Sequence, residues 1–146
     1  MSYGTVDILL VEDSEDDAAF FVHALTASCP AALLRIAGNG VEALLIIFGE
    51  GNPAHSLPVV QPKLIVMDLK IPKVSGLEVL ALLKSNPNTR AMPVVVLSSS
   101  REKKDLLESY RLGANSYLVK PMDPVNLSEM VGAVSAYWLR FNETLN

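Results

Sequence analysis

The chain has 146 residues, about the length of one domain, and a domain of that size buries roughly two-thirds of its unfolded surface. Its 50 % hydrophobic and 19 % charged residues exclude a disordered chain. Twelve Lys and Arg against sixteen Asp and Glu leave a net charge of −4, so a basic, phosphate-tracking nucleic-acid surface is not expected.

Five short apolar runs recur in chain order: "VDILLVED", "LLRIAG", "KLIVMDL", "MPVVVLSSS" and "NSYLVKP". Each reads as a strand. Between and after them lie segments with helical spacing: Asp13 to Thr26, Gly40 to Phe48, Gly76 to Leu83, Lys103 to Leu112 and Leu127 to Phe141. The pattern is (βα)₅, which implies an α/β fold with a parallel sheet and helices on both faces. The Gly- and Pro-rich stretch "GEGNPAHSLPVVQP", Gly49 to Pro62, predicts a long loop between the second helix and the third strand. A single domain over residues 1–146, with its core at about 6–141 and no output domain, is expected.

The longest uncharged stretch, Ala18 to Leu34, is interrupted by His23, Thr26, Ser28 and Pro30, so no membrane-spanning helix is predicted. The start "MSYGTVDILLVED" lacks the basic flank and cleavage site of a secretory signal. A lone Cys29 cannot form an internal disulfide and fits a reducing cytoplasm.

In an open parallel sheet, ligands bind beyond the carboxyl ends of the strands at the topological switch point. The first strand ends in Glu12 and Asp13, the third in Asp68, the fourth in Ser98 and the fifth in Lys120 and Pro121. Three acids gathered there would repel one another without a cation, and an oxygen-only set suits Mg²⁺. With an ion present, an aspartate can act as nucleophile toward a phosphoryl group, while Ser98 and Lys120 contact its remaining oxygens. Each residue also has a plainer role: Glu12 and Asp13 as acids at a helix N-terminus, Asp68 as a turn residue, Ser98 in a loop, Lys120 as a solvated charge. The coincidence of all of them at the same ends of successive strands favours the chemical reading.

At these residues the chain resembles the receiver domains of two-component response regulators, over about residues 6 to 141. The resemblance rests on "ILLVEDSEDD", "LIVMDLKIPKVSGLEVL", "PVVVLSSS" and "GANSYLVKPMDP", in that order. It implies a flavodoxin-like three-layer fold with strand order 2-1-3-4-5 and an Asp68 that takes a phosphoryl group from a phosphohistidine on a sensor histidine kinase. Such a domain is not a conventional enzyme, although it catalyses its own phosphorylation and a slow autodephosphorylation. By the same resemblance Asp13 and Asp68 ligate Mg²⁺ (or Mn²⁺), Glu12 acts through water, and the backbone carbonyl of Lys70 fills a further position. Ser98 is the switch hydroxyl, where the family more often has Thr. Tyr117 is the switch aromatic, with ordinary half-buried packing as its alternative, and Lys120 and Pro121 are joined by a cis bond. Lys70 and Ser100 lie where the family tunes dephosphorylation. Phosphorylation adds about −1.5 to −2 charge and is expected to reshape the face made by the fourth helix, fifth strand and fifth helix.

Only a short tail follows the last helix, so the signal is expected to leave by contact. That helix carries two apolar lines: Leu127, Val131, Val134, Trp138, Phe141 and Met130, Val134, Tyr137, Phe141. One faces the sheet; the other is either more core or an exposed interface. The long loop and the closing "YWLRF" resemble stand-alone regulators whose kinases are bacterial phytochromes and which form homodimers through the last-helix face. Other stand-alone receivers act on a flagellar motor or relay phosphate to a histidine phosphotransfer protein. Two other readings remain: a non-phosphorylated receiver-like binding or dimerisation module, against which the complete acid set counts, and a phosphatase-like hydrolase. The hydrolase would need a second Asp two residues beyond Asp68, where this chain has Lys70.

Overall fold

The computed structural model describes residues 5–145. Five strands, β1 (Ile8–Val11), β2 (Leu34–Ala37), β3 (Leu64–Met67), β4 (Val94–Ser98) and β5 (Ser116–Val119), alternate with helices. The helices are α1 (Glu15–Ser28), α2 (Gly40–Phe48), α3 (Gly76–Ser85), α4 (Lys103–Arg111) and α5 (Pro124–Ala136). All strand pairings are parallel and the order is β2-β1-β3-β4-β5, the flavodoxin-like arrangement. The direction of winding reverses between β1 and β3, so the crevice beyond their carboxyl ends is the expected ligand site.

The three central strands, "ILLV", "LIVM" and "VVVLS", are buried throughout, which explains why they read as continuous apolar runs. Their side chains alternate between two cores. Leu9, Val11, Ile65, Met67, Val94 and Val96 face α2 and α3 through Ile47, Phe48, Val79, Leu80 and Leu83. Ile8, Leu10, Leu64, Val66, Val95 and Leu97 face α1 and α5 through Phe21, Leu25 and Val131. On the edge, β2 exposes Arg35 and Ile36.

Helix starts follow the sequence chemistry. Ser14, Asn39, Ser75 and Asp123 each accept a backbone N–H from the first turn of α1, α2, α3 and α5. Asp123 with Pro124 at the first helical position begins α5 three residues before the predicted Leu127. Its end also differs from prediction, because Tyr137–Phe141 form a π-helical turn. That turn splits the two apolar lines. Leu127, Met130, Val134 and Trp138 pack against the core on the α1 side, whereas Tyr137 and Phe141 stand exposed.

The loop from Gly49 to Pro62 is pinned. Asn86, at the end of α3 and fully buried, donates its amide to the carbonyls of Pro53 and Ser56, both at 3.0 Å, and Asn88 donates to that of His55. Among the described residues no helix is long and apolar enough to cross a membrane. The first four residues of the opening stretch, read above for a secretory signal, lie outside the described ones.

Candidate functional site: an acidic edge closed by a lysine

The register of the sheet brings the predicted residues together. Asp68 follows β3 and donates its backbone N–H to the carbonyl of Val11 (3.1 Å), which sets it beside Glu12 and Asp13 at the end of β1. The N–H of Lys120 donates to the carbonyl of Ser98 (2.8 Å), fixing the end of β5 to that of β4. Glu12 is buried, Asp68 partly buried and Asp13 exposed, and carboxylate oxygens of all three lie within 4.8 Å of one another. A hard, oxygen-only donor set of this kind fits Mg²⁺ or Mn²⁺.

Lys120 neutralises part of this charge. Its Nζ donates to Glu12 Oε1 (2.5 Å), Asp17 Oδ2 (2.9 Å) and Asp68 Oδ2 (2.9 Å). Burial opposes the ammonium charge, but the bonds to Glu12, Asp17 and Asp68 outweigh it and raise the lysine above its ordinary range. Burial raises Glu12 above the usual carboxylate range, and the contact with Lys120 offsets this only in part. Asp17 was not among the predicted site residues. In the sequence it belongs to the run Glu15, Asp16, Asp17 in the first turn of α1, where acids serve the helix N-terminus. Nothing in the local sequence separates it from Asp16, so no signal there singled it out.

The cleft beyond β3 and β4 is lined by Asp68, Lys70, Ser98, Ser100 and Arg101. Asp68 Oδ1 accepts the N–H of Lys70 (3.1 Å), which orients the carboxylate. Ser98 is buried, and its Oγ accepts the N–H of Ser100 (3.2 Å). Tyr117 is half-buried and packs against the core on the α2–α3 side. Its hydroxyl donates to the carbonyl of Ser100 (2.9 Å), so the two expected switch residues meet at a common neighbour.

Two features mark the loop that follows Asp68. A Cβ on Gly76 would lie 2.5 Å from the Asp68 carbonyl oxygen and 2.7 Å from Leu69 Cα, so only glycine lets α3 start this close to the site. Lys73, in the same loop, is the non-glycine residue with positive φ (68°) among the described residues, a conformation that costs an L-residue about 1–2 kcal/mol.

The expected cis bond before Pro121 is not found, for no cis peptide occurs among the described residues. Trans is the intrinsic preference of an X–Pro bond, and with it the Lys120 ammonium already reaches all three carboxylates.

A flavodoxin-like sheet with an acid pair after β1, an aspartate after β3, a hydroxyl after β4 and a lysine after β5 defines a receiver domain. The chain belongs to the response regulator receiver domain family, whose model matches residues 8–132. Among curated proteins it is 38 % identical over 132 residues to the response regulator Rcp1 of Synechocystis sp., covering 90 % of this chain and 88 % of that one. The crystal structure of the phosphorylated cyanobacterial phytochrome response regulator RcpA superposes with a TM-score of 0.85 at 34 % identity, covering 98 % of this chain and 100 % of that one. The Mn²⁺-bound form of Rcp1 superposes with a TM-score of 0.84 at 35 % identity, covering 97 % and 99 %.

Proposed function

We propose that the chain is a phosphorylation-dependent signalling switch in which Asp68 is the phosphoacceptor. The observation that carries this reading is the convergence of Lys120 on Asp68 and Glu12 at the carboxyl edge of the sheet, with Ser98 lining the cleft beside Asp68.

One carboxylate oxygen of Asp68 attacks phosphorus of a phosphohistidine on a histidine kinase. The P–N bond breaks, the imidazole leaves with the electron pair, and an acyl phosphate forms. Asp13 and Asp68 would hold a Mg²⁺ or Mn²⁺ ion, with Glu12 and the Lys70 carbonyl as further oxygen donors toward it or its water. A bound Mg²⁺ or Mn²⁺ supplies positive charge for the phosphoryl oxygens. Lys120, held protonated by the surrounding carboxylates, offers a donor to a phosphoryl oxygen as its bond to Asp68 is given up. Ser98 Oγ turns from the Ser100 N–H toward another phosphoryl oxygen. Because Tyr117 is tied to the Ser100 carbonyl, that movement is felt by Tyr117 and α4, and the α4–β5–α5 face carries the signal.

Likeness to Rcp1 and to the phytochrome response regulator RcpA supports a sensor histidine kinase of the bacterial phytochrome type as donor, in the cytoplasm. Exposed Tyr137 and Phe141 at the end of α5 support a homodimer through that face. A histidine phosphotransfer protein is a further candidate partner through the same phosphoryl chemistry.

The test is incubation with acetyl phosphate and Mg²⁺, followed by intact mass and elution volume. One added phosphate in the wild type and none in Asp68→Asn is expected. Stoichiometric, acid-labile phosphate on Asp68→Asn would refute the assignment.

A further inference from the structure

Helix α4 is attached to the domain in an unusual way. Ser109 is its buried residue, and the Ser109 hydroxyl has no partner, whereas Ser28, Ser85 and Ser135 in other helices each donate to the carbonyl four residues earlier. Leu107 and Tyr110 are exposed. With so little apolar burial, α4 depends on polar contacts for its position.

Those contacts meet at Ser100. Its Oγ donates to Asp105 Oδ2 at 2.5 Å and accepts the N–H of Glu102 at 3.2 Å. Its N–H donates to Ser98 and its carbonyl accepts from Tyr117. The cap residue Glu102 makes no side-chain cap bond, so Ser100 and Asp105 close the first turn of α4 in its stead. Ser100 also lines the cleft that contains Asp68, and its one hydroxyl proton is committed to Asp105, away from that cleft.

We propose that Asp105 is a positioning residue that sets the lifetime of the phosphoryl group on Asp68, by holding the Ser100 hydroxyl on α4 and out of reach of water in the cleft. This rests on Asp68 being the phosphoacceptor. In hydrolysis a water oxygen bonds to phosphorus and the bond from phosphorus to the Asp68 oxygen breaks. Carboxylate and inorganic phosphate leave, one water proton going to the phosphate and the other to solvent. A Ser100 hydroxyl released from Asp105 gains a free donor and acceptor at the cleft wall, where it orients that water.

The experiment labels wild type, Asp105→Ala, Asp105→Asn, Ser100→Ala and the Asp105→Ala/Ser100→Ala double variant with acetyl phosphate in Mg²⁺. The donor is then removed and the decay of the phosphoprotein is followed by intact mass. Asp105→Ala is expected to decay roughly fivefold faster, the worth of one hydrogen bond. Asp105→Asn, whose amide oxygen still accepts the hydroxyl, decays like the wild type, and the double variant decays like Ser100→Ala. Equal decay of Asp105→Ala and wild type overturns the proposal, as does a faster decay that persists without the Ser100 hydroxyl. A wild type that takes up no phosphate refutes instead the assignment of Asp68, and this inference falls with it.

Discussion

Lys120→Met keeps the buried stem of the side chain and removes its charge. In the wild type the ammonium is within 3 Å of Glu12, Asp17 and Asp68, and its side chain is 13 % exposed. Without it, buried Glu12 and partly buried Asp68 face each other and Asp13 with no cation. Breaking a buried ion pair costs about 3–5 kcal/mol. The Asp17 contact, with that side chain 46 % exposed, adds at most about 1 kcal/mol. Asp68 and Asp13 can also rehydrate at the cleft mouth, which brings the expected loss in chelator to about 3 kcal/mol. For a chain of this size that is a fall in Tm of about 9 °C. Mg²⁺ binds the folded state and stabilises by mass action, about 2.7 kcal/mol at a hundred times its Kd. Because the variant no longer sets an ammonium against the ion, Mg²⁺ should raise its Tm more than that of the wild type. The assay is thermal unfolding of both proteins in chelator and along a Mg²⁺ titration. A variant as stable as the wild type in chelator, or an equal Mg²⁺ shift in the two, would refute the view that Lys120 holds the acidic edge together.

Three further outcomes follow from the geometry. Gly76→Ala forces a Cβ to within 2.5 Å of the Asp68 carbonyl oxygen, so denaturant unfolding should show a loss above about 2 kcal/mol, with phosphate uptake impaired as Asp68 is displaced. Lys73→Gly relieves a left-handed residue (φ 68°) and should raise stability by about 0.5–1 kcal/mol, the strain relieved less the entropy added to the unfolded chain; an unchanged or lower urea midpoint would count against strain at this position. Lys84 donates to the carbonyls of Arg90 and Met92 and to Asn115 Oδ1, and burial lowers its pKa below 10.5. The unfolded chain therefore holds this proton more tightly, so the contribution of Lys84 to stability grows as pH rises through its folded pKa toward 10.5. Urea midpoints of the wild type and Lys84→Met at about pH 7.5 and about pH 10 should differ more in favour of the wild type at the higher pH; an unchanged difference would sink the argument.

What the sequence revealed, and what it hid, divides along one physical line. Periodicity reports burial, and the runs "LIVM" and "VVVLS" are buried at every position, so the strands and the α/β class were legible, whereas the strand order came only with the resemblance to receiver domains. Strand ends were legible too, because a carboxylate or hydroxyl cannot continue such a run without cost; that is how Glu12, Asp68 and Ser98 stood out. The reach of a long side chain is not periodic. Asp16 and Asp17 are neighbours with the same local chemistry in the first turn of α1, yet Asp17 alone of the two meets Lys120, and the choice is made by the position of β5, more than a hundred residues away. The end of α5 shows the same divide, since spacing placed Trp138 and Tyr137 on adjoining lines without saying which would be core, and in the structure Trp138 packs against the core while Tyr137 stands exposed. The bond between Ser100 and Asp105 was hidden differently: "SSSREKKD" offers three hydroxyls to one acid, and only the structure shows Ser98 buried at the end of β4, Ser99 exposed and Ser100 on Asp105. Local sequence thus names the groups able to act at this edge, whereas the packing of β4, β5 and α4 decides which of them hold one another.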